Sequence, residues 1–154
     1  MVKNQQGISL VEVMASIVII TMLLTVFLTM FLTSARSNEA SEEIVDYTFI
    51  AQRQMEELYE AGQQYSSADI GTVMTNILGF TNQSAIAGES IWVTNGTASD
   101  GSAYTIELTL RSYTPESSEF SRLGQTLRRT IVEVYPQPGT QPVSKMESLI
   151  EWRD

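Results

Sequence analysis

The sequence predicts an α+β protein in which a long N-terminal helix, membrane-spanning in its first part and amphipathic in its second, packs against a C-terminal antiparallel β-sheet. Three observations predict it. Residues 8–32 are apolar and hold a single charge, residues 34–61 contain neither Gly nor Pro and repeat apolar positions at helical spacing, and four strand-like runs separated by turn residues follow. At 154 residues the chain has the length of one domain.

The first run reads ISLVEVMASIVIITMLLTVFLTMFL. As a helix it reaches roughly 37 Å, more than the roughly 30 Å of a bilayer's hydrocarbon core. Ser9, Ser16, Thr21, Thr25 and Thr29 can return their hydroxyls to the preceding turn, so Glu12 is the one costly residue. Lys3 on the short side argues for a cytoplasmic N-terminus, with the bulk of the chain outside, against the opposing pull of Arg36 on the other flank. A secretory signal cut near Thr33, Ser34 and Ala35 is the rival reading, although the run exceeds the usual h-region.

Beyond the span, Ala40, Ile44, Tyr47, Ala51, Met55 and Leu58 form an amphipathic stripe, and Gly62 is the expected stop. A continuous helix over residues 8–61 would extend roughly 81 Å. Its second half then needs a cover. Asp69 is the expected N-cap of a short helix through Ile70, Val73, Met74, Ile77 and Leu78, ended by Gly79. The predicted strands are residues 90–94, 103–113, 126–135 and 145–152, joined through turn-rich segments as an antiparallel meander.

Composition removes whole classes of chemistry. Without Cys or His there is no disulfide, no Cys/His zinc site and no Ser-His-Asp triad. A net charge of −9 opposes nucleic-acid binding. Arg122, Arg128 and Arg129 are the best candidates for a basic patch, but consecutive strand residues face opposite ways, so Arg128 and Arg129 cannot share a surface. The loop over residues 95–101 has one carboxylate, Asp100, too few for calcium. No cofactor or metal is expected. The acidic runs Glu39, Glu42, Glu43, Asp46 and Glu56, Glu57, Glu60 read as solvated faces, with Arg53 and Glu57 as an exposed i,i+4 pair. Trp92 and Trp152 read as core or interface anchors.

The junction Gly7-Ile8-Ser9-Leu10-Val11-Glu12 resembles the processing site of type IV pilins and type II secretion pseudopilins, and the order of apolar span, amphipathic extension and antiparallel sheet resembles that family's architecture. The resemblance implies a leader over residues 1–7, a transmembrane helix over 8–32, a helical extension over 33–61 and a sheet head over 62–154. It implies cleavage between Gly7 and Ile8 by a prepilin peptidase, N-methylation of Ile8, and a role in subunit assembly for Glu12. The partners it implies are other major and minor pilin subunits, an inner-membrane assembly platform and, before assembly, membrane lipid. The net charge of −9, and not the resemblance, argues against DNA as a partner. Residues 49–58, FIAQRQMEEL, resemble the minor components of the PilV and pseudopilin I type. Ile8 replaces the commoner Phe, and Thr29 stands where many major pilins have a helix-breaking Pro, which favours an unbroken helix and a minor subunit.

The resemblance supplies a partner for Glu12, since cleavage would create an α-amino group one turn away or on a neighbouring subunit. A carboxylate in lipid costs about 2.5–3.5 kcal/mol on insertion scales. Snorkelling at the interface is the competing account. The expected function is a non-enzymatic fibre subunit that resides in the cytoplasmic membrane with its N-terminus inside and reaches the cell surface on assembly. A single-pass anchored binding or sensor module is the alternative. An anchored enzyme would have to rely on carboxylates such as Glu89, Glu107 or Glu133.

Overall fold

The computed structural model describes residues 9–86, 88–113 and 126–153. They fall into two compact units, Met1–Glu42 and Glu43–Asp154, and one helix, α1 (Leu10–Gln64), runs through the boundary. By length and composition α1 can cross a membrane, with the apolar window wholly exposed.

In the first unit every described residue of α1 is solvent-exposed. Among the described residues nothing covers its Val, Ile, Leu, Met and Phe side chains.

In the second unit α1 buries Tyr47, Ala51, Gln54, Leu58, Ala61 and Gly62, a stripe three or four residues apart. Ala40 and Ile44, expected on this stripe, are exposed, because the buried face begins at Tyr47. Gly62 does not stop the helix. It lies inside it, where a Cβ would come within 2.9 Å of both the Glu151 carbonyl oxygen and Ile150 Cγ2. It is a glycine of close approach, not of termination.

After α1 the chain makes a 3₁₀ turn (Ser67–Asp69), one α turn (Ile70–Thr72) and a wider π-type turn (Val73–Ile77) in place of the expected regular helix. Ser66, not Asp69, caps it, its hydroxyl accepting from the Ala68 N–H. Gly79 ends it at φ +70, a value that favours glycine. The segment buries Val73, Met74 and Phe80.

Five strands follow: β1 (Thr81–Ile86), β2 (Glu89–Thr97), β3 (Ala103–Ser112), β4 (Leu127–Pro136) and β5 (Ser144–Glu151). They form one antiparallel meander in sequence order. The four expected strands are present within one to three residues at each end, and β1 is an addition. Its polar TNQSAI sequence lacks alternation because it is an edge strand, defined by backbone pairing more than by burial.

Register lines up the inner face in rows, Trp92–Leu108–Val132–Met146 in the middle and Thr94–Ile106–Val134–Ser144 beside it. Leu108, Val132, Val134, Ala51 and Leu58 have no exposed surface. Each fully buried large aliphatic chain contributes about 1.5–3 kcal/mol, so these rows and the helix stripe are the principal hydrophobic stabilisation of the unit. Both tryptophans belong to this core, and the buried Trp152 Nε1 has no hydrogen-bond partner among the described residues.

The helix is also tied to the β2–β3 hairpin. Asp46 accepts from Ser99 Oγ at 2.8 Å, Tyr47 Oη lies 3.4 Å from Ser102 Oγ, and the Tyr47 and Tyr104 rings meet edge to face with centroids 6.5 Å apart. Asp46 is therefore a docking residue and not part of a merely solvated run.

Candidate assembly site

The N-terminal part of α1 begins after Ser9, whose carbonyl accepts from the Glu12 N–H at 3.0 Å and the Val13 N–H at 3.2 Å. Glu12 is thus in the first helical turn, where unpaired backbone N–H groups and the helix dipole favour a carboxylate. The Ser9-x-x-Glu12 spacing is that of a capping box, a signal readable in the sequence that the resemblance overshadowed. Among the described residues Glu12 makes no ion pair. Gly7 and Ile8 lie outside the described residues.

The hydroxyls of Ser16, Thr21, Thr25, Thr29 and Thr33 are satisfied within the helix, whereas Ser9, expected to do the same, precedes the first turn of α1 and has no earlier turn of that helix to reach. Ser16 donates to the Glu12 carbonyl at 2.7 Å, Thr21 to Ile17 at 2.9 Å, Thr25 to Thr21 at 2.8 Å, Thr29 to Thr25 at 3.1 Å and Thr33 to Thr29 at 2.9 Å. Such bonding removes most of their desolvation cost in an apolar medium. The result is an exposed helix surface suited to lipid or to other apolar helices.

The head carries no comparable basic surface among its described residues. Arg129 is held by Glu147 at 2.6 Å, Arg111 by Glu89 at 2.9 Å and Lys145 by Glu133 at 2.8 Å. The Arg129 guanidinium in turn holds the Glu147 carboxyl below its usual range. Arg128 and Arg129 flank the strand on opposite faces as expected, with Arg128 part-buried and donating to the Leu127 carbonyl. Arg122 lies outside the described residues. Arg53 and Glu57 form the expected i,i+4 pair at 3.0 Å.

Register does bring two of the candidate carboxylates together. Glu107 and Glu133 are directly opposite on β3 and β4. They sit on the open outer face of the sheet, Glu133 is engaged by Lys145, and Tyr135 donates to it at 3.4 Å. Burial, followed by the charges of Glu133 and Glu107, pushes the Tyr135 phenol above its ordinary value. Among the described residues no group of three or more acidic side chains is arranged to hold a metal.

Residues 2–28 match the family model of the prokaryotic N-terminal methylation motif. The N-terminal methylation motif is the leader and helix start of type IV pilins and pseudopilins, which are structural and generally non-enzymatic subunits. Its matched span covers Gly7, Ile8 and Glu12 and most of the exposed apolar part of α1. No curated protein and no solved structure matches the chain. The motif implies processing by a prepilin peptidase and assembly with other pilin-type subunits, and with the apolar helix it supports membrane anchoring.

Proposed function

We propose that the protein is a minor pilin or pseudopilin, a structural subunit of a type IV pilus or type II secretion-like fibre. The observation that carries this reading is the methylation motif leading into a helix whose apolar surface its own fold leaves uncovered. The division into leader, transmembrane helix, helical extension and head follows from it. The peptidase cuts between Gly7 and Ile8, Ile8 is methylated, and the subunit waits in the cytoplasmic membrane with its N-terminus inside. Drawn into the fibre, its apolar helix exchanges lipid for neighbouring helices, and Glu12 sets axial register by pairing with an α-amino group. The unbroken helix at Thr29 and the segment from Phe49 to Leu58 favour a minor subunit of the PilV or pseudopilin I type.

The intact mass of the membrane-extracted chain, from cells expressing a prepilin peptidase, tests the reading. Loss of residues 1–7 with gain of one methyl group is expected. A full-length chain beside active peptidase would replace it with an anchored binding module. For the register role, Glu12→Ala is expected to be processed normally yet to enter fibres poorly, and normal incorporation would remove Glu12 from the mechanism.

A further inference from the structure

The two edges of the sheet differ. β1 is broken by a bulge between Asn82 and Ser84, a device that spoils pairing with another chain. β5 ends the sheet on the other side with continuous register, and among the described residues no strand pairs with its outer edge. Only its far end is closed, where the Arg153 N–H donates to the Gly62 carbonyl at 3.0 Å and the Ser67 N–H to the Arg153 carbonyl at 2.8 Å.

Beside the open edge lies a groove of about 390 Å³ lined by Met55, Glu56, Tyr59, Glu60, Ser148 and Ile150. Tyr59 is 56% exposed, and Leu149 on the opposite face of β5 is 52% exposed. The charge around the groove is one-sided. Among the described residues Glu56 accepts a hydrogen bond from the uncharged Gln52 amide, and Glu56, Glu60 and Glu151 have no ion pair. A second copy is a poor occupant. It would bring a net −9 against these acids, and its Arg53, Arg111, Arg129 and Lys145 are already held by their own carboxylates.

We propose that the open edge of β5 and its groove bind an extended, basic segment of a different protein. The segment adds to the sheet as a sixth strand. The side chains on its helix-facing side are by turns apolar, against Met55 and Tyr59, and Lys or Arg, against Glu56 and Glu60, while the intervening ones face the outer side of the sheet. This binding rests on the head alone and stands whether or not the leader is cleaved.

The test uses the full chain in uncharged detergent and three fluorescent peptides of equal length. One, the Val-Lys peptide, repeats Val-Thr-Lys-Thr and one repeats Val-Thr-Glu-Thr, so that Val and the charged residue share one face of the strand, and one carries the same lysines on a Gly-Ser backbone. The Val-Lys peptide is expected to bind at least about tenfold tighter than either control, and Tyr59→Ala or the double variant Glu56→Gln, Glu60→Gln to weaken it about tenfold. These side chains line an open groove, so the melting temperature of the variants serves as the folding control. No binding of the Val-Lys peptide, equal binding of the Gly-Ser peptide, or binding insensitive to the variants overturns the proposal. A concentration-dependent dimer of the chain abolished by Tyr59→Ala also overturns it, assigning the groove to a second copy.

Discussion

The two stretches of α1 obey different rules although they belong to one helix. Over residues 10–32 of the first unit apolar residues surround the helix, with Phe27 and Phe31 both about 70% exposed. In the second unit a buried stripe separates out, on which Ala51 and Leu58 have no exposure, while Ile44, Val45, Phe49 and Tyr59 stay exposed beside it. A stripe can be satisfied by one sheet. A helix apolar on all sides requires a surrounding apolar medium or several helices, and the described residues supply neither.

The sharpest way to break this comparison is to truncate one side chain in each region. Leu108→Ala, in the central row of the sheet, is expected to cost the head about 2–5 kcal/mol, read by denaturant unfolding monitored at the tryptophans. Leu24→Ala is expected to leave the same transition within about 0.5 kcal/mol, since nothing in the fold covers it. Equal losses would show that the first unit is held by the fold after all. Glycines sharpen the contrast at close range. Gly62→Ala, which meets Glu151 and Ile150, is expected to destabilise by about 1–3 kcal/mol, whereas Gly71→Ala, with nothing within 4 Å, is expected to be neutral or stabilising by up to about 1 kcal/mol.

Smaller effects probe the hairpin that anchors the helix. Tyr47→Phe and Asp46→Ala are each expected to lower head stability by about 0.5–1 kcal/mol in the same assay. The smallest concerns Asp100, whose carboxyl is held below its ordinary 3.8 by the Ser102 hydroxyl and N–H. A depressed carboxyl stabilises fully above its unfolded value and loses that contribution as pH falls through the native one. The stability difference between the wild type and Asp100→Asn should therefore shrink below about pH 4 in melts taken as a function of pH.

Much of this was legible before the structure. The apolar run, the stripe from Tyr47 through Leu58 and the alternation of Ile106, Leu108 and Leu110 are repeated local signals, and each marks the element it should. β1 was not legible, because its polar residues carry no period and only pairing with β2 makes them a strand. Glu12 was singled out as a charge in an apolar run and as part of a resemblance. Its first-turn position adds a local stabilisation that those arguments did not contain.

What the sequence by itself determined is where apolar surface is continuous and where it alternates, because periodicity is written residue by residue. What only the tertiary structure decided is which close approaches and pairings those surfaces make. Gly62 reads as a helix stop until Ile150 and Glu151 are seen against it, Asp46 reads as solvated until Ser99 reaches it, and β5 reads as any other strand until it proves to be the open edge. The first two join residues dozens of positions apart and the third depends on which strands pair, and a local pattern carries no information about a neighbour that only folding supplies.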